Sequence, residues 1–93
     1  MASDALVSEW ADSFLSRLTA ANRQRWEELV PDFIRSPISE DTVDLVEEPG
    51  TMASLVGDFL VTFRFLNAEV IEIASITWGP DHPASQPDAR GRL

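Results

Sequence analysis

The sequence contains no cysteine, no lysine and no tyrosine, and it has one histidine, His82. Without cysteine there can be no disulfide framework, no thiolate metal site and no thiol nucleophile, so stability has to come from packing. The lack of thiols fits a reducing interior. The N-terminus, MASDALVSEW, has no basic region followed by a long apolar run, and nothing later approaches the ~20 apolar residues of a membrane span. A soluble, cytoplasmic protein with no membrane partner is expected. The missing lysine leaves seven arginines against sixteen acidic residues, a net charge of −9 at pH 7. Such a charge repels nucleic-acid phosphates, which argues against direct nucleic-acid binding, and it favours cationic protein partners.

The inventory for chemistry is thin. The four glycines occur singly, so no glycine-rich loop is present to cradle a phosphate. The serines show no nucleophile elbow. His82 lies between Asp81 and Pro83 in the stretch GPDHPASQPDARGRL, which has three prolines, two glycines and almost no apolar residue. A catalytic histidine needs a partner that fixes its tautomer and a site poor in water, and such a stretch supplies neither. No catalytic residue, cofactor or metal site is expected. Residues 80 to 93 are expected to be a flexible tail on a single α+β domain spanning residues 1 to 79.

Ninety-three residues suffice for one small core, and the stretch that organises it runs from Ser54 to Trp78. From Phe59 the sequence alternates. Phe59, Val61, Phe63 and Phe65 fall on one face and Leu60, Thr62, Arg64 and Leu66 on the other, the period of a half-buried strand. A second run from Val70 to Trp78 follows after Asn67, which predicts an antiparallel hairpin. A two-residue loop would bury Glu72 among phenylalanines, so an odd-length loop is preferred; it sets Ile71 and Ile73 beside Phe63 and Phe65, and Arg64 near Glu72.

Before this stretch, Val7, Trp10, Ala11, Phe14, Leu15 and Leu18 recur at helical spacing, with Ser3 placed to cap a helix over residues 4 to 20. Trp26, Leu29, Val30, Phe33 and Ile34 predict a second helix, interrupted at Pro31. Thr42 to Glu48 alternates as a short strand, and Pro49 and Gly50 make the following turn. Gly57 suggests a bulge in the next strand. The predicted fold is therefore two N-terminal helices packed on a three-stranded antiparallel meander, in the order ααβββ. The predicted core is Trp10, Phe14, Leu18, Leu29, Phe33, Val43, Phe59, Val61, Phe63, Phe65, Ile71 and Ile73, with Trp26 also taken as buried.

Two features point to function. In the preferred register the sheet face away from the helices carries Leu60, Leu66, Val70, Ile76 and Trp78 around Arg64 and Glu72, too apolar a surface to be wholly wet. It suits a homodimer or another protein partner. In addition, Glu40, Asp41, Asp44, Glu47 and Glu48 form an acidic edge, with no basic residue between Arg35 and Arg64. That edge suits a basic partner surface, and it also protects an edge strand from aggregation. Together these predict a small acidic, non-enzymatic protein-binding module of inhibitor, immunity or adaptor type.

The stretch FLVTFRFLNAEVIEIASITWGP resembles the closing hairpin of nuclear-transport-factor-like and SnoaL-like domains, over about a quarter of the chain. In that family a glycine is usual where Ala68 stands. The resemblance implies an alternative, a cone-shaped sheet around a small-ligand pocket serving a sensor or an enzyme.

Overall fold

The computed structural model describes residues 4–80. Five strands and two helices follow one another as β1 (Asp4–Val7), α1 (Glu9–Ser16), α2 (Ala20–Arg35), β2 (Val43–Asp44), β3 (Thr51–Val56), β4 (Phe59–Phe65) and β5 (Val70–Trp78). The sheet has the order β1-β5-β4-β3-β2. Four of its strands are mutually antiparallel neighbours, and β1 is added parallel to β5.

This corrects the three-stranded ααβββ meander. The sheet is five-stranded and mixed, and a strand rather than a helix comes first. Residues Asp4 to Val7 pair with Val70 to Ile73 instead of forming the first helical turn. The helix cap moves accordingly from Ser3, which lies outside the described residues, to Ser8. The Ser8 hydroxyl accepts from the Ala11 N–H at 3.2 Å and donates to the Ala74 carbonyl at 2.6 Å. One side chain thus both caps α1 and fixes it to β5.

A separate cap, Thr19, starts α2 by accepting from the Asn22 N–H. Pro31 does not end this helix, which continues to Arg35. The proline is exposed, so the bond it removes lies where water can satisfy the Glu27 carbonyl. The expected strand over Thr42 to Glu48 shrinks to two residues, because the chain turns away at Leu45. The Pro49–Gly50 turn forms as expected, with Gly50 at φ +88 and the Thr51 N–H donating to the Glu48 carbonyl.

Gly57 is a hairpin residue and not a bulge. Val56 pairs with Phe59, so Gly57 and Asp58 form a two-residue loop with positive φ only at the first position, the pattern of a type II′ turn. The bulge sits instead in β5. Thr62 faces Ser75 while the next residue, Phe63, faces Ile73, leaving Ala74 as an extra residue. Beyond it the faces of β5 exchange, and Ile76 and Trp78 join Ile71 and Ile73 on the helix side.

Both helices pack on that side. Ala11 and Leu15 of α1 and Trp26 and Phe33 of α2 meet Val56, Phe59, Val61, Phe63, Ile71, Ile73 and Ile76 in one buried cluster. Phe59 is central: Trp26 stands edge-on to its ring at 5.3 Å, and Trp78 stacks on it at 5.1 Å. Phe33 meets Phe63 in the same edge-on manner at 5.1 Å. Phe14, Leu18, Leu29 and Phe65 pack against this cluster, half-buried. Two predicted core residues do not belong to it. Trp10 is 81% exposed, because the apolar stripe of the shortened helix starts at Ala11. Val43 is exposed on the two-residue edge strand.

Replacing Ser8 by Ala removes a helix cap and leaves the Ala74 carbonyl without its hydroxyl donor. Each loss is worth about 1 kcal/mol, so urea unfolding should show a stability loss of about 2 kcal/mol with an unchanged slope against denaturant.

Candidate functional site

With both helices on one side, the opposite face of the sheet carries no covering element among the described residues. Its side chains fall in rows fixed by the register. Leu55, Leu60 and Thr77 form one row; Val43, Ala53, Thr62 and Ser75 the next; Thr51, Arg64, Glu72 and Leu6 the third. The middle row joins Val43 and Ala53 to two hydroxyl side chains, Thr62 and Ser75, which are 2.5 Å apart in a hydrogen bond. In the third row the Arg64 Nε donates to Glu72 Oε1 at 2.8 Å. Leucines flank these polar pairs at both ends, Leu60 half-buried and Leu66 exposed.

The odd-length loop places Arg64 directly opposite Glu72. Asn67 builds it: its Oδ1 accepts from the N–H groups of Glu69 and Val70, and the Leu66 N–H donates to the Val70 carbonyl. Leu60, Arg64, Leu66, Val70 and Glu72 therefore lie together on or beside the outer face. Ile76 and Trp78 do not join them. The Ala74 bulge turns both inward, where Ile76 is 2% exposed and Trp78 lies between Phe14 and Phe59. The outer face is consequently more polar than the alternation alone implied.

The acidic residues lie at the β2 end of the sheet, and all are exposed: Glu40 and Asp41 in the turn after α2, Asp44 in β2, Glu47 and Glu48 in the turn before β3. The ion pairs found among the described residues join Arg23 to Glu27, Arg25 to Asp58, Arg35 to Asp32 and Arg64 to Glu72, so none engages this cluster. No group of three or more described side chains is placed to hold a metal ion. His82 lies outside the described residues.

Two open clefts flank the segment that leaves α2. One, of about 320 Å³, lies between Arg35, Ile38 and Phe65. The other, of about 230 Å³, lies between Leu29 and Phe33 of α2 and Leu55 and Val56 of β3. Arg64 lines neither; the first borders the end of α2 and of β4, and the second lies between α2 and β3. The cone-shaped pocket implied by the nuclear-transport-factor-like resemblance is not the architecture found.

What the sequence reading missed is the patch at the other edge. Leu6, Val7 and Trp10 are all exposed there. A signal was available in the serine at position 8, which can cap a helix as well as Ser3 can and which frees the preceding four residues to be a strand.

No family model matches the chain, and no curated protein matches it. Solved structures do. The chain is similar to one in the RelBE2 toxin–antitoxin complex of Mycobacterium tuberculosis, at 17% identity and a TM-score of 0.69, covering 84% of this chain and 99% of that one. The archaeal RelE–RelB complex of Pyrococcus horikoshii matches at 19% identity and 0.64, over 88% and 100%. The isolated RelE toxin of Escherichia coli matches at 14% identity and 0.64, over 99% and 100%. Since the last is a toxin alone, the fold shared here is that of the toxin. No helix among the described residues is long and apolar enough to cross a membrane.

The Arg64–Glu72 bond is half-exposed on the arginine side, which sets its worth. A double-mutant cycle with Arg64→Ala and Glu72→Ala should give a coupling below about 1 kcal/mol, and about 1 M salt should reduce it to nearly nothing.

Proposed function

We propose that this protein is a small acidic, non-enzymatic protein-binding module that acts in the cytoplasm by occupying a partner's surface, in the manner of an inhibitor, immunity or adaptor protein. The observation that carries this reading is the outer sheet face, which both helices leave uncovered. Toxin–antitoxin complexes among the similar structures support it, since there a chain of similar fold is found in complex with another protein. The charge of −9 sets the partner's character. Five exposed carboxylates, outside the ion pairs found among the described residues, attract a surface rich in Arg and Lys, and they disfavour nucleic acid.

The recognition surface combines Leu60, Arg64, Leu66, Val70 and Glu72 with the carboxylates of Glu40, Asp41, Asp44, Glu47 and Glu48. A second copy of the chain fits the sheet-face half of it, because twofold pairing covers such a face without any further chain. The acidic half then remains for a basic partner.

Charge steering and face burial are separable by experiment. In stopped-flow association with a copurified partner, the association rate should fall steeply with added salt while dissociation changes little, and the Asp44→Asn, Glu47→Gln, Glu48→Gln triple variant should reproduce the high-salt rate. An association rate insensitive to both would remove the acidic edge from the interface. For self-association, Leu60→Glu should give a folded monomer by light scattering. Ile76→Glu should instead unfold the protein, since that side chain lies in the core.

A further inference from the structure

We infer that the free edge of β1, together with Trp10, is a strand-docking site for a basic, amphipathic segment of another protein, distinct from the surface proposed above. Strand β1 is the terminal strand of the sheet. Its Asp4 and Ser8 N–H groups donate to the Glu69 and Ile73 carbonyls of β5. By the alternation of a strand, the N–H and C=O groups of Ala5 and Val7 point the other way. The Ala5 N–H is taken by the neighbouring Asp4 carboxylate at 2.8 Å. Among the described residues, the Ala5 carbonyl and both polar groups of Val7 have no sheet neighbour on that side.

An open edge of this kind is usually short, charged or covered. This one is short and carries a charge only at Asp4, and it is otherwise flanked by large apolar side chains. Leu6 is 53% and Val7 44% exposed, one on each face of the sheet, and Trp10 at 81% lies one turn beyond at the start of α1. Tryptophan is the side chain most often found at the energetic centre of interfaces, and a chain has little reason to leave one in water. Backbone partners along an edge, with apolar side chains to either side, are what an added strand requires.

Charge selects the occupant. Asp4 on β1 and Glu9 and Asp12 in the first turn of α1 flank Trp10 in the chain, and none enters an ion pair found among the described residues. A second copy docked β1 to β1 would bring two such sets of carboxylates together. A strand alternating Lys or Arg with apolar residues meets both needs, its cations reaching the carboxylates and the face of the Trp10 ring.

The test uses an acetylated octapeptide of alternating lysine and valine, with its glutamate–valine counterpart as control. On the intact protein, the lysine peptide should slow hydrogen exchange at the Val7 amide and shift tryptophan emission to the blue, and the glutamate peptide should do neither. Trp10→Ala should abolish the spectral shift and weaken binding about tenfold or more. Glu9→Gln with Asp12→Asn should weaken it while leaving the fold, read by circular dichroism, in place. The proposal is overturned if the lysine peptide leaves the Val7 amide unprotected, if it protects the Val43 amide at the opposite edge instead, or if Trp10→Ala binds as well as the parent. Protection of Val7 that grows with protein concentration alone would identify the occupant as a second copy and overturn it equally.

Discussion

The single extra residue at Ala74 governs how the two layers meet. With unbroken alternation from Val70 to Trp78, the residues sharing a face with Ile71 and Ile73 would be Ser75 and Thr77, and half of β5 would present hydroxyls to the helices. The bulge exchanges the faces midway, so that β5 offers Ile71, Ile73, Ile76 and Trp78 to the core along its whole length. It also frees the Ala74 carbonyl to accept the Ser8 hydroxyl, the same group that caps α1. Placement of the first helix and the register of the last strand are thus one problem with one solution.

Around that point the molecule divides its chemistry cleanly. The helix side is a packed aromatic and aliphatic cluster in which Phe59 contacts rings from α1, α2 and β5. The far side is built of short polar contacts, Thr62 to Ser75 and Arg64 to Glu72, bordered by leucines. The two ends of the sheet differ as well: the β2 end is rich in carboxylates and the β1 end carries tryptophan.

Strands β4 and β5, the loop at Asn67 and the Arg64–Glu72 pairing were legible in the sequence because alternation fixes faces and the cost of burying Glu72 fixes the register. The acidic cluster was legible as composition. Strand β1 was not, since four residues satisfy helical and strand periodicity equally and their partner lies at the far end of the chain. The identity of the exposed aromatic followed from the same ambiguity: a helix from Asp4 puts Trp10 inside, and a helix from Glu9 puts it outside. The bulge was placed at Gly57 because glycine is a visible marker, whereas Ala74 is not a residue type that marks a bulge. The Pro31 break failed because the proline sits on a solvated face, where the lost bond is cheap.

The parallel pairing of β1 with β5 brings together residues 66 positions apart, as in the bond from Ser8 to Ala74. During synthesis the N-terminal strand therefore emerges long before the strand it needs, and the edge it will occupy does not yet exist. Helices α1 and α2 can form and meet early, but α1 can be anchored only after the ribosome has released Ala74. Closing a loop over that distance costs entropy that the local contacts of α1 and α2 do not. Until then Leu6, Val7 and Trp10 are unclaimed apolar side chains on a nascent chain, the kind of surface that chaperones hold.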